Sequence, residues 1–262
     1  MKPFRLPLKN DDATTVGLLA RAAVFRLIAR CFAYPGDGHA VAMRAECRQA
    51  LPPLRSGKLP ARVRARLQLT ARAWAVTASS DLASDYLKVF HGAGPVQLFE
   101  TAYGDGRRLG GRSVEMADIS GFYRAFGLEA AGPDRNRADH LGAELEFLSL
   151  LLVKEAYAVS QGWRSRQAVT SAAICAFIEY HLGRWVGALG RAIRASDAPP
   201  VYRQMTALLE TSIAEECRVR RLHPSSTETV HIRDEMQDES FSCPRGDGGA
   251  GAEASAGPGQ TP

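Results

Sequence analysis

Apolar residues recur along most of this chain at intervals of three and four, the spacing that puts them on one face of a helix. Leu18, Ala22, Phe25, Ile28 and Phe32 share such a face, so a helix is expected from a cap at Thr14 or Thr15 to the Tyr34-Pro35-Gly36 stop. A shorter helix over Ala40 to Ala50 should end before Pro52-Pro53, and Pro60 suits the first turn of a third that runs to about Thr77. In that third helix Val63, Leu67 and Trp74 point inward and Arg62, Arg64, Arg66 and Arg72 outward. Ser80-Asp81 caps a fourth, with Leu82, Tyr86, Val89 and Phe90 on its apolar side.

The regularity then breaks. Pro95 to Gly104 is bounded by proline and glycine and is too irregular for a long helix, and the loop Gly104 to Gly111 is glycine-rich and basic. Helical spacing returns from Ser113, a possible cap, through Met116, Ile119, Tyr123 and Phe126 to Gly127, placed as a left-handed closing residue. The most apolar element follows, from about Ala138 to Ser160, with Leu141, Leu145, Leu148 and Leu152 as its stripe. Ser165 to about Arg194 reads as helix that Gly183, Gly187 and Gly190 can bend or divide, and Pro199-Pro200 opens a last one. No stretch alternates with the period of a strand, so the fold class is all-α, a single helical bundle.

Composition divides the chain more than it classifies it. Its 262 residues are 45% hydrophobic and 23% charged, as in an ordinary globular domain, with a formal charge of +5. From Pro224 onward seven acidic residues face only Arg233 and Arg245, and Gly, Ala and Pro dominate from Gly246. Such a segment buries too little apolar area to offset ordering costs of roughly 1–2 kcal/mol per residue. The expected organisation is therefore a flexible 1–13, a helical domain over 14–223 and a disordered tail over 224–262. The five cysteines are scattered, with no C-x-x-C pair, which fits a reduced cytoplasm; no secretory start or membrane-spanning run is found, so no membrane insertion is expected.

The motifs of common enzymes are missing: no Gly-x-Ser-x-Gly, no His-Glu-x-x-His, no phosphate-binding glycine loop. The strongest polar constellation is Asp139, His140 and Glu144, at the mouth of the most apolar helix. His140 and Glu144 are four apart and could begin a metal site on one helix face. Asp139 could instead serve a first turn electrostatically, or form a capping-box-like start with Asn136. Glu100 and Tyr103 could merely fasten the irregular segment, which together with the central helix start would make a groove with a charged end.

Four segments in series resemble one family: Tyr86 to Phe90, Leu98-Phe99-Glu100-Thr101-Ala102-Tyr103-Gly104, Gly121-Phe122-Tyr123-Arg124-Ala125-Phe126-Gly127-Leu128, and Ala138-Asp139-His140-Leu141-Gly142-Ala143-Glu144. Order and spacing over about residues 14 to 220 are similar to the TorD/DmsD/NarJ chaperones that mature molybdenum-cofactor oxidoreductases. Ala138 stands where the family's Pro-Asp-His signature has proline. The Phe-Tyr-x-x-Phe-Gly-Leu helix and the loop after Tyr103 look most like the branch serving dimethyl sulfide dehydrogenase, ethylbenzene dehydrogenase, selenate reductase and chlorate reductase.

The resemblance implies a cytoplasmic, non-enzymatic chaperone, monomer or homodimer, for the apo catalytic subunit of a molybdopterin oxidoreductase and its twin-arginine leader peptide. It implies no catalytic residue, metal ligand, cofactor or nucleic-acid partner. It places Glu100, Tyr103, Asp139, His140, Leu141 and Glu144 in the leader-binding site. A basic body is not the obvious receptor for a basic peptide, so attraction would be local to Asp139, Glu144 and Glu100. The rival readings are a nucleic-acid-binding protein using Arg62, Arg64, Arg66 and Arg72, and a metal-dependent hydrolase at Asp139, His140 and Glu144.

Overall fold

The structure, a computed structural model, describes residues 13–54, 59–92, 94–103, 111–128 and 137–227, with the side chains of 49–54 left aside. The chain separates into two units, 1–232 and 233–262, and every described residue lies in the first. The basic loop 104–110 and the tail from 228 onward lie outside the described residues; the first four residues of the expected tail, 224–227, are described, and Thr227 N donates to Arg184 O at 3.0 Å.

Among the described residues the helices are α1 (Ala13–Cys31), α2 (His39–Leu54), α3 (Ala61–Val76), α4 (Leu82–Phe90), α5 (Gly111–Ala125), α6 (Leu141–Gln161), α7 (Arg164–Phe177), α8 (Gly183–Ala195) and α9 (Pro200–Arg220). No strand occurs among them; Phe99 and His140 form an isolated antiparallel bridge. The chain is all-α, as its periodicity predicts. The leucine stripe of α6 is fully enclosed, and Trp74, Trp185, Phe25, Phe32 and Phe177 are among the largest fully buried side chains of the core. Burying each such side chain is worth about 1.5–3 kcal/mol, so the apolar stripe is what fixes α6 at the centre. Its longest partner is α1, while α9 packs on α3 and α8.

Several boundaries differ from those the sequence suggests. Thr14 and Thr15 both lie inside α1, which already runs from Ala13, and Thr15 is buried. Helix α2 continues to Leu54, past Pro52 and Pro53; a proline forfeits one donor and disfavours helix in the residue before it, yet these two did not stop the chain. Helix α5 starts at Gly111, before Ser113, and α6 starts at Leu141 rather than Ala138. The long helix over 165–194 is divided, but by a π-helical turn, Ile178–Leu182, that joins α7 to α8. Gly183 closes that turn, and a Cβ there would meet both Ile178 O and Pro224 Cγ at 2.5 Å. Gly127 does close α5 with φ 75°, and Gly162, not singled out in the sequence, closes α6 with φ 71°.

One polar network is buried within the packing. Glu216 of α9 receives Arg21 Nη1 of α1 at 2.9 Å and Arg220 Nε at 3.0 Å, while Arg220 Nη2 reaches Glu155 of α6 at 2.7 Å. Arg220 Nη1 also donates to Ser171 of α7 at 3.0 Å. Two cations and two anions thus tie four helices together.

Candidate functional site

The start of α6 is built by the irregular segment before it. Glu100 N donates to Asp139 O at 2.9 Å and Leu141 N to Leu98 O at 2.8 Å, so the strand-like pairing of Phe99 with His140 occupies an N–H that a helix start leaves open. His140 has extended backbone angles, φ −76° and ψ 134°, and its Nδ1 accepts from Gly142 N at 3.0 Å, which makes it the N-cap of α6. Asp139 therefore sits outside the helix rather than in its first turn. The capping box proposed for Asn136 lies outside the described residues.

Asp139 is wholly buried and fully engaged. Its Oδ2 accepts from Thr101 Oγ1 at 2.7 Å and from Arg137 Nη2 at 2.8 Å, and its Oδ1 from Arg137 Nε at 3.0 Å. The Arg137 guanidinium also lies 4.1 Å from the centre of the Phe99 ring. Tyr123 donates its hydroxyl to Ala138 O at 2.7 Å, so alanine, where the family has proline, is held in this corner through its carbonyl.

Glu100 and Glu144 meet beneath that corner. Glu100 is 4% exposed and approaches His181 Nδ1 at 3.1 and 3.2 Å, while His181 Nε2 is 3.6 Å from Asp118 Oδ2. Glu144 is 0% exposed; its Oε2 accepts from Trp185 Nε1 at 3.2 Å and its Oε1 meets no donor. Burial, and then the neighbouring charge of Glu100, push the Glu144 carboxyl well above the ordinary glutamic acid range. Protonated, it becomes the donor that its lone oxygen otherwise lacks, with Glu100 as acceptor. Tyr103 stacks on Trp185 at 5.3 Å and donates to Gln97 O at 2.6 Å; burial raises its phenol as well.

The irregular segment and the central helix do meet, but at a closed bridge rather than at an open groove. Glu100, Tyr103, Asp139, Leu141 and Glu144 are brought together and face inward. His140 does not share a face with Glu144, because as N-cap it lies outside the helix and turns toward the surface. There it ends a separate hollow of about 980 Å³ along α1 and α6. Leu19, Ala22, Ala29, Ala143, Leu150 and Val153 give that hollow its apolar walls, and Arg26, Arg30, His39, His140 and Glu146 its polar ones. Burial lowers the His39 pKa, which favours its neutral form.

Sequence reasoning missed the α1 wall, although the small residues Ala22, Ala29 and Ala33 opposite Gly142 and Ala143 were a usable signal for a shallow floor. It also missed His181, Trp185 and Arg137, which lie outside the quoted motif segments, and Thr101, which lies within one but was given no role. No group of three or more His, Cys, Asp or Glu among the described residues is arranged to hold a metal ion. No described helix is long and apolar enough to cross a membrane. The exposed arginines of α3 (Arg62, Arg66 and Arg72) project from a helix remote in sequence from this hollow, and none lines it.

Comparison with characterised proteins adds to this geometry. The chain is 33% identical over 120 residues to the selenate reductase assembly chaperone protein of Thauera selenatis, covering 45% of this chain and 60% of that protein. It is 28% identical over 134 residues to the chlorate reductase assembly chaperone protein of Ideonella dechloratans, covering 51% and 62%. The matches thus span about 60% of the curated relatives' own length. Residues 56–190, from α3 through most of α8, match the family model described as nitrate reductase delta subunit. With that match across half its length and the motif series running through the start of α6, the chain belongs to the nitrate reductase delta subunit family, the NarJ/TorD type of chaperone.

Proposed function

We propose that this protein is a cytoplasmic assembly chaperone that holds the apo catalytic subunit of a molybdopterin oxidoreductase, by its twin-arginine leader, until cofactor is inserted. It performs no chemistry on its client. The observation that carries the reading is the hollow along α1 and α6: about 980 Å³, walled by small and aliphatic side chains and ended by His140 of the family motif. An apolar, helix-prone leader segment suits such a groove. Hiding on the order of 400 Å² of apolar surface at about 25 cal/mol per Å² would give roughly 10 kcal/mol before ordering and docking costs, consistent with micromolar binding at about −8 kcal/mol.

On this reading the motif residues divide their work. His140 touches the client, while Glu100, Tyr103, Asp139, Leu141 and Glu144 hold the irregular segment against α6 and so fix where His140 stands. The experiment is capture of the apo subunit with its leader intact and with it removed. Capture that depends on the leader supports the proposal, and equal capture of both forms contradicts it.

A further inference from the structure

Helix α9 is closed by Arg221 in the left-handed conformation, φ 57°, and the chain that follows runs over the π turn and the start of α8. His223 N donates to Glu179 Oε2 at 3.1 Å. Pro224 covers Gly183 so closely that a Cβ on that glycine would meet its Cγ at 2.5 Å. Thr227 donates its N and Oγ1 to Arg184 O at 3.0 and 3.1 Å, and Arg191 Nη2 donates to Thr227 O at 2.8 Å. Leu222, Pro224 and Thr227 are half-buried while His223, Ser225 and Ser226 are exposed, so this stretch, with no helix or strand of its own, presents one side to the body.

The π turn beneath it needs such a fastening. Gly183 N donates to Ile178 O, five residues back, and returning that bond to the four-residue spacing of an α-helix would rotate one flank against the other by about 100°. His181 sits inside the turn, wholly buried against the rings of Phe122 and Phe177, with Nδ1 3.1 Å from Glu100 Oε2 and Nε2 3.6 Å from Asp118 Oδ2. The backbone N–H of Glu100 makes one of the two bonds that clamp the irregular segment to the start of α6, and Leu141 N makes the other, to Leu98 O. We infer that residues 222–227 are a latch: seated, they hold the π turn open, and through His181 and Glu100 they hold the corner that positions His140. Lifting the latch lets the turn rotate, draws His181 off Glu100 and loosens the corner. Resting on the leader-binding reading, the latch then sets leader affinity as well, because His140 ends the hollow.

The test compares the full chain with the same chain carrying Pro224→Gly and Thr227→Ala, by amide hydrogen exchange and by titration with a labelled peptide of two adjacent arginines followed by an apolar helix-prone segment. Exchange should quicken about tenfold over 178–187 and also over 98–103, with α3 unchanged, and leader affinity should fall severalfold. Quickening confined to 178–187, or absent there, overturns the latch, and so does a rise that extends to α3, which would make the stretch a support of the whole fold. Coupled exchange with unchanged leader affinity overturns its control of the hollow. Wild type that fails to bind the peptide overturns the leader-binding reading, and the exchange over 98–103 still decides for or against the latch.

Discussion

Around Glu216 two arginines and two glutamates pair at 2.7–3.0 Å, and each buried charge has its opposite. Around Glu144 three acidic side chains, Glu100, Asp139 and Glu144, crowd together with one arginine and one histidine at their edge. The acids of both networks are enclosed, so none of them can lean on water. The first is discharged by ion pairing. The second has more acid than base within reach, and the physical way out is a proton retained on Glu144. Its acids are thus framework that shapes the entry to α6, and the proposed binding falls to other residues of the groove beside them.

Removing one member from each network breaks the comparison most sharply. Glu216→Ala should cost about 3–5 kcal/mol in urea unfolding, because it leaves Arg21 without its acceptor and Arg220 with one fewer in a buried site. Asp139→Ala should cost less, about 1–3 kcal/mol, since Thr101 loses its partner while the half-exposed Arg137 can turn to solvent. Either substitution that proved neutral would mean its network does not hold the helices as described.

Glu144→Gln sharpens the contrast through pH. The folded protein keeps a proton on Glu144 that the unfolded chain releases near the ordinary value of 4.5. Wild-type stability should accordingly fall as pH rises from that value toward the higher folded one. Glutamine carries the neutral form permanently and keeps the Trp185 acceptor, so the variant should show a shallower decline and gain on wild type as pH rises. Thermal unfolding at pH 5 and pH 8 reads the difference, and identical slopes would mean that Glu144 is ionised. At the small end, Arg62→Ala or Arg66→Ala on exposed α3 should stay within about 0.5 kcal/mol of wild type.

Much of this architecture was legible because helical spacing and its punctuation are local. Leu141, Leu145, Leu148 and Leu152 announced α6, Pro60 and Pro199-Pro200 marked helix starts, and Gly127 marked a helix end. The π turn was not legible, since no residue type demands it and only the wide loop around Ile178 and Gly183 shows it. Of the candidate site, the motif named the right neighbourhood but not which way each side chain faces. The burial of Glu144 and Asp139 is decided by Trp185, His181, Arg137 and Thr101, and most of these are distant in sequence. The groove needs α1 as well as α6, and the two walls meet only after folding.

The hollow between α1 and α6 is the centre of the functional proposal, and Ala143→Trp fills it from a half-exposed position while leaving the buried acids untouched. Titration of the leader peptide against this variant, with helix content checked by circular dichroism, should show binding lost while the fold is retained. A folded variant that binds the leader as tightly as wild type would show that the client sits elsewhere.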